Sequence, residues 1–520
     1  MEIVENSAIK FSVDSDLAAT LDERIEKLEV LKDDGVKAEV LMFWGLKETQ
    51  QLARYYDAPN IPSPMANEYK WPGMYKPFDH QVTTASFLSI RDRAFCFNEA
   101  GTGKTSSVIW AADYLMKMKQ IQRVLIICPL SIMYSAWQAD VFKTAIHRTV
   151  GVAHGSASKR KKIIDGDYDF VVINFDGVGT VREDIAKANF DLIVVDEANA
   201  YKTATTKRWK TLQKLVTPST KLWMLTGTPA SQSPLDAYGL AKMAVPHKVP
   251  KTFGAWRDRV MQQITQFKWI PKKNASGDVF KALQPAIRFT KAECLDLPEV
   301  VYQTREVPLT PQVKRYYKIL KDRMMVEAAG EQISAVNAAA SLSKLLQIAG
   351  GAVYTDTHEV IEFDINPRLS ALQEVIDETD NKVIIFVPYR HTIDVVSDSL
   401  KAKGLSTEII SGDVTAKQRS DIINRFQTSD DPKILIIQPQ SASHGVTLTA
   451  ADTVVFWSPV MSVETYIQCV ARIDRVGQKN SMTVVHLQGA DVERKMYDML
   501  QGKINMHEKL VDLYKQEIGA

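Results

Sequence analysis

The chain has 520 residues, too many for one ordinary hydrophobic core, so two or three domains are expected. Its 45% hydrophobic and 24% charged residues fit a soluble globular protein; no apolar run is long enough to span a membrane, and "MEIVENSAIK" lacks the basic-then-apolar layout of a secretory signal. The net charge of +2 leaves any nucleic-acid binding to local patches, and four scattered cysteines without a CxxC pair argue against a disulfide framework or zinc site and for a reducing, cytoplasmic compartment.

Residues 1–58 read as a small accessory module. Leu17, Leu21, Ile25, Leu28 and Leu31 recur at helical spacing and predict an amphipathic helix, after which "VKAEVLMFW" reads as a strand. Residues 59–76 belong to a stretch with five prolines, "DAPNIPSPMANEYKWPGMYKP", and read as a linker. A first α/β lobe is expected over 77–295, with "VLIICP", "FVVINFD", "LIVVDEA" and "LWMLTGTP" as strands and a helical protrusion at about 236–295. Runs that are apolar throughout and stop at polar or Gly/Pro residues suit parallel strands buried on both faces. A second lobe over 296–490 holds a helical insertion at about 311–350, then the strands "NKVIIFVP", "STEIIS", "KILIIQP", "DTVVFWS" and "MTVVHLQ". Residues 491–520 are expected to form a C-terminal amphipathic helix.

Three stretches carry chemistry. "FCFNEAGTGKTSSVIWAADYL" sets a Gly-rich turn between an apolar run and a helix. Amides at such a helix start face phosphates, with Lys104 reaching the terminal ones and the Thr105 hydroxyl suited to magnesium. The alternative is a plain Gly/Lys turn. In "FDLIVVDEANAYK" a buried strand stops at Asp196 and Glu197. One carboxylate there can hold magnesium through water and its neighbour can orient or deprotonate the attacking water; a merely polar strand end is the alternative. In "VARIDRVGQ", Arg472 and Arg475 are three residues apart, one helical turn, and guanidinium groups suit developing phosphoryl charge. Taken alone, they also read as two solvated arginines.

In this company the chain resembles a superfamily-two nucleic-acid-dependent ATPase of the Swi/Snf type, a class of double-stranded DNA translocases. The motifs run in that family's order from Pro77 to Lys503. "KPFDHQ" resembles the adenine-reading Q motif, "NEAGTGKT" motif I, "CPLSIMYSAWQAD" motif Ia, "VVDEANAYKTATTKRWKTL" motif II and "LTGTPASQSPLDAYGL" motif III. "KVIIFVPYR" resembles motif IV, and "QPQSASHGVTLTAADTVVFWSPVMSVETYIQCVARIDRVGQ" is similar to motifs V and VI run together. Asn98 stands where a glycine usually opens the loop, and Asn199 where histidine is usual.

The resemblance implies two RecA-like parallel-sheet lobes with helical insertions, and ATP with Mg2+ as cofactors. Gln81 would read the base, while Gly101, Thr102, Gly103, Lys104 and Thr105 would cradle the phosphates. Thr105 and Asp196 would hold the metal through water, and Glu197 would be the catalytic base. Arg472 and Arg475 would reach the phosphates from the second lobe, with Gly445 and Gln468 lining the same cleft; Thr226 and Thr228 would couple hydrolysis to DNA contact. Ser131, Trp137, Lys202, Thr228, Ser441 and Ser443 would touch the backbone of duplex DNA with little sequence preference. The run "KRKK" at 159–162 reads as a phosphate patch or a solvated face, and Trp71, Trp209 and Trp457 as base-stacking or packing residues. Asn199 can donate and accept hydrogen bonds but does not titrate near neutrality.

The implied activity is DNA-dependent ATP hydrolysis driving movement along duplex DNA. A strand-separating helicase or branch-migration and annealing motor, and an ATP-gated DNA-binding scaffold, stand as alternatives. The N-terminal module is a candidate contact for protein partners. The lean motif set points to a bacterial or phage-infected cell, with a nuclear location expected for a eukaryotic source.

Overall fold

The computed structural model describes residues 1–502 apart from 57–59, 228, 231–232, 266–268, 296, 329–334, 356–358, 443–446 and 476. The chain divides after Leu295 into two compact units.

The first unit opens with four strands, β1 (Glu2–Val4), β2 (Ala8–Asp14), β3 (Leu28–Asp33) and β4 (Lys37–Phe43), in an antiparallel sheet of order β1-β2-β4-β3. Ile9, Phe11 and Val13 alternate with outward residues and are buried, as strand geometry requires of a half-covered sheet. The expected helix stops at Arg24: Ser15–Arg24 is helical and buries Leu21, but Leu28 and Leu31 lie on β3. Leu28 pairs with Met42 of β4, so cross-strand pairing overrides a spacing that locally reads as helix. Helix Leu46–Tyr55 then ties this sheet to the chain around Ser89–Asp92: Gln50 donates to the Ser89 carbonyl at 3.0 Å, and Arg54 pairs with Asp92 at 2.9 Å.

Parts of the proline-rich segment pack onto the rest of the first unit. Trp44 donates to the Pro62 carbonyl, and Trp110 to that of Pro72. Tyr69 and Trp71 meet Trp110 and Tyr114 edge-to-face, and the Tyr69 hydroxyl donates to the buried carboxylate of Asp113. Trp110, Asp113 and Tyr114 all lie on helix Lys104–Lys117.

Among the described residues a seven-stranded parallel sheet comes next. Its strands are β5 (Arg93–Cys96), β6 (Val124–Cys128), β7 (Val150–Ala153), β8 (Phe170–Asn174), β9 (Leu192–Val195), β10 (Lys221–Leu225) and, after a small antiparallel pair β11 (Met261–Gln263) and β12 (Trp269–Pro271), β13 (Ala286–Ile287). The order is β13-β5-β10-β9-β6-β8-β7. β6, β8 and β9 are buried at every position, which is why they read as unbroken apolar runs. The expected helical protrusion contains helices Ala237–Ala244, Phe253–Val260 and Ala275–Ala282, but it also returns a strand: β13 lies against β5. Two residues are too few to show a strand period.

The second unit is built on six parallel strands among the described residues: β14 (Val300–Glu306), then, past an antiparallel hairpin β15 (Ala352–Tyr354) and β16 (Val360–Glu362), β17 (Lys382–Phe386), β18 (Thr407–Ile410), β19 (Ile434–Ile437), β20 (Ala451–Phe456) and β21 (Met482–Gln488). Their order is β14-β21-β20-β17-β19-β18. Helices Pro311–Ala328 and Ala335–Gly350 lie between β14 and β15, and Asp491–Leu500 comes after β21. The remainder of the expected C-terminal helix, 503–520, lies outside the described residues. The two parallel sheets with flanking helices are RecA-like lobes in architecture. Among the described residues no helix is long and apolar enough to cross a membrane.

Candidate nucleotide site

In the first unit, β5, β10, β9 and β6 are consecutive neighbours, and the motifs sit just beyond their carboxyl ends. This is the edge of a parallel sheet at which ligands bind in open α/β folds.

The loop after β5 runs into helix Lys104–Lys117 through Gly103, which is left-handed at φ +78°. That conformation favours glycine, and a Cβ there would meet the Gln81 amide nitrogen at 1.9 Å. The helix start leaves its first amides without partners inside the helix, so they are available to an anion. Lys104 Nζ donates to the carbonyls of Asn98 (2.7 Å) and Glu99 (3.0 Å), which holds the ammonium over the loop. Thr105 is the second helical residue and is partly exposed, as are Gly101 and Gly103; Thr102 is buried and caps back onto Glu99.

Asn98 takes a structural part that a glycine could not. Fully buried, it donates through Nδ2 to Thr84 Oγ1 (2.8 Å) and accepts at Oδ1 from the Phe289 amide (3.0 Å). It therefore ties the loop to helix Asp79–Ser89 and to the segment beyond β13. Gln81 is buried on that same helix. Its Oε1 accepts from the Phe78 amide at 2.9 Å, capping the helix, and its Nε2 faces the Thr102 carbonyl at 3.5 Å.

Asp196 comes directly after β9 and is buried. Burial pushes its carboxyl up from the usual carboxylate range, against the opposing pull of Lys104, the Trp137 indole and the Glu197 amide. Glu197 is partly exposed and left-handed, at φ 52° and ψ 54°. A non-glycine residue in that region costs about 1–2 kcal/mol, and such strain collects at functional sites. Asn199 lies in the 3-10 turn Ala198–Tyr201 and is half-buried. Thr226 comes after β10 and is buried, its amide bonded to the Cys96 carbonyl at 3.0 Å.

The nucleic-acid residues expected in this unit fare unevenly. Ser131 is partly exposed in the 3-10 turn after β6, and Lys202 pairs with Asp236 at 3.3 Å. Trp137 is corrected outright: it is wholly buried and its indole donates to Asp196 Oδ2 at 3.0 Å, so it has no face to offer DNA. The basic run lies on helix Ala157–Ile164, where Lys161 pairs with Asp165 and Asp184 and Arg160 bonds to Asn174; Lys159 and Lys162 are exposed. Trp209 and Trp457 are buried and Trp71 packs on Trp110, so all three are packing residues.

In the second unit, helix Val463–Val470 ends before the arginines, which lie in the turn beyond it rather than on a shared helical face. Arg472 is buried with Nε on the Gln468 carbonyl (2.6 Å). Arg475 is partly exposed, bonding the Ala471 carbonyl and, at 3.3 Å, Thr447 Oγ1. The Leu448 amide donates to the Arg472 carbonyl, so the two motif stretches are stitched together. Gln468 is buried, and Ser441 is partly exposed on the short helix Pro439–Ala442. Thr228, Ser443 and Gly445 lie outside the described residues.

The SNF2-related domain model matches residues 80–350, just over half of the sequence. The chain belongs to the SNF2-related family of helicase-like ATPases. A helicase conserved C-terminal domain matches residues 367–477. The SNF2-related chain is 24% identical over 397 residues to an ATP-dependent helicase of Mycoplasma genitalium, covering 75% of this chain and 37% of that protein. It is 23% identical over 440 residues to SWI/SNF-related matrix-associated actin-dependent regulator of chromatin subfamily A-like protein 1 of Xenopus tropicalis, covering 81% and 43%. It thus spans less than half the length of these relatives. A protein of Acyrthosiphon pisum secondary endosymbiont phage 1 is 24% identical over 420 residues, covering 76% of this chain and 88% of the relative. The Sulfolobus solfataricus SWI2/SNF2 ATPase core solved with dsDNA aligns at 21% identity and a TM-score of 0.42, covering 86% of this chain and 96% of that one; the fold described above stands on the chain's own sheets.

Proposed function

We propose that the protein is a DNA-dependent ATPase that translocates on double-stranded DNA and remodels protein–DNA complexes or forked DNA. The observation that carries this reading is the convergence at one sheet edge of the phosphate loop after β5, Thr226 after β10, and Asp196 with Glu197 after β9.

The residues present fit a magnesium nucleotide. Gly103 opens a helix N-terminus toward an anion, and Lys104 supplies a cation at the loop. Mg2+ binds through one or two protein ligands plus phosphates and water. Thr105 and Asp196 would hold it, and when bound it would neutralise charge on the phosphates. Glu197 orients and deprotonates the attacking water, and Arg472 and Arg475 are the second unit's candidates for stabilising phosphoryl charge. Gln81 contributes to base recognition from the loop side. Duplex DNA is engaged through phosphate contacts, with Ser131, Lys202 and Ser441 among the contact residues. Membership of a family whose relatives carry the names helicase and chromatin regulator supports DNA as the partner.

The test is ATP hydrolysis with single-stranded, duplex, forked and four-way DNA, paired with displacement of a third strand from a triplex. Duplex DNA should stimulate turnover more than single strands, and the triplex strand should be displaced without duplex unwinding. Equal stimulation by all DNAs, or none, refutes the translocase reading, and duplex unwinding assigns the strand-separating activity instead. Lys104→Ala and Glu197→Gln should both abolish turnover, with Glu197→Gln still binding ATP.

A further inference from the structure

The chain leaves β6 through Pro129 and makes a 3-10 turn over Leu130–Ile132, a π turn over Met133–Gln138 and an α-helix over Ala139–Thr144. Because β6 lies beside β9, this segment lies over the carboxylate at the end of β9; the Asp196 amide itself donates to the Ile127 carbonyl at 2.9 Å. A π turn accommodates an extra residue, and each residue of an α-helix turns it by about 100°, so the insertion re-aims every side chain after it. In an unbroken α-helix Trp137 would share a face with Tyr134, three residues earlier. Here Tyr134 is 40% exposed and Trp137 is 0% exposed.

The inward ring ends at the acidic pair. Asp196 Oδ2 accepts from the Trp137 indole at 3.0 Å, and Oδ1 accepts from the Glu197 amide at 3.0 Å. An indole offers one N–H and no charge. It therefore fixes which way the carboxylate faces without neutralising it, and each oxygen keeps a lone pair for a further partner.

We propose that Trp137 is a positioning residue for Asp196, with the π turn as the device that aims it: the indole holds the carboxylate in the orientation from which it meets a metal or its bound water. This inference rests on the reading of Asp196 as the magnesium carboxylate. Hydrogen bonds that orient a ligating carboxylate are worth about 10–100-fold in metal affinity when removed. The resemblance implies a DNA-backbone contact for Trp137; its burial gives it the opposite direction of action, toward the nucleotide.

The test uses the full chain, with Mn2+ and ADP as probes. Trp137→Phe keeps an aromatic ring and deletes the donor. Benzothienylalanine placed at 137 keeps the bicyclic shape and replaces N–H with sulfur, so it separates the donor from the packing. Free Mn2+ is tracked by electron paramagnetic resonance at saturating ADP, and ADP affinity is measured separately in EDTA. Both variants should bind Mn2+ about tenfold more weakly, while ADP affinity in EDTA stays within about twofold. Wild-type Mn2+ affinity in the benzothienyl protein overturns the proposal. So does a parallel loss of melting temperature and EDTA-state ADP affinity with an unaltered metal dependence, which is the mark of packing alone. A wild-type protein that binds no ADP refutes the nucleotide reading itself and is told apart by that control.

Discussion

Replacing Asn98 with alanine separates the architecture of the nucleotide loop from its chemistry. The side chain makes two bonds in a fully buried position, to the Thr84 hydroxyl and from the Phe289 amide. Thr84 keeps its own donor bond to the His80 carbonyl at 2.7 Å, so it loses only an acceptor role, worth about 0.5–1.5 kcal/mol. The Phe289 amide loses its acceptor in a half-buried place, at roughly 1–3 kcal/mol. Together the loss is about 2–4 kcal/mol. With an unfolding entropy near 2.1 cal/mol/K per residue over the unit Met1–Leu295, each kcal/mol lowers the melting temperature by roughly 1.6 °C, so a fall of about 3–6 °C is expected. Nucleotide affinity should change less than about threefold, because Lys104 bonds the backbone carbonyl of Asn98, which the substitution keeps. Differential scanning fluorimetry and titration with a fluorescent nucleotide read the two quantities. A melting temperature within about a degree of wild type, or a collapse of affinity without destabilisation, would refute the reasoning.

Gly103→Ala forces a side chain into a left-handed position and against the Gln81 amide. The free loop relieves about 1–2 kcal/mol of backbone strain by leaving that conformation, and restoring it on binding predicts roughly tenfold weaker nucleotide affinity by calorimetry; unchanged affinity would mean that the loop is not the binding element. For Asp113, burial pushes the carboxyl up, but hydrogen bonds from Tyr69, Arg148, His147 and Lys117 more than offset this and hold it below the usual carboxylate range. A depressed folded-state value gives stability that is present above the unfolded value, about 3.9, and lost as pH falls through the folded one. Asp113→Asn should therefore be about 2 kcal/mol less stable than wild type at pH 7, in urea melts, with the gap closing below about pH 4. A gap that persists undiminished in acid rejects the charge as its source.

The parallel strands were legible because burial on both faces leaves an unbroken apolar run, as in β6, β8 and β9. The Gly-rich turn before helix Lys104–Lys117 and the strand that stops before Asp196 and Glu197 were legible as local structure, because an apolar run that breaks at glycine or charge marks a strand end. What escaped was set by partners distant in sequence. Leu28 and Leu31 continue a helical spacing, yet both lie on β3, where Leu28 pairs with Met42 of β4 and Leu31 falls at the register shift between Val30 and Lys32. Arg472 and Arg475 have helical spacing, yet the helix has already ended at Val470. The resemblance put Trp137 on the DNA backbone, whereas the π turn, which leaves no mark in the residue pattern, aims its ring inward.

The clasp between the proline-rich segment and helix Lys104–Lys117 bears on where a minimal ATPase fragment can begin. A fragment starting at Lys76 would retain every helicase motif and still strip Glu68, Tyr69 and Trp71 from that helix. Trp110 and Tyr114 would become wet, and Asp113 would lose its one phenolic donor. The first residues of the catalytic body are thus those that buttress the back of the phosphate-loop helix, upstream of any motif by which the enzyme is recognised.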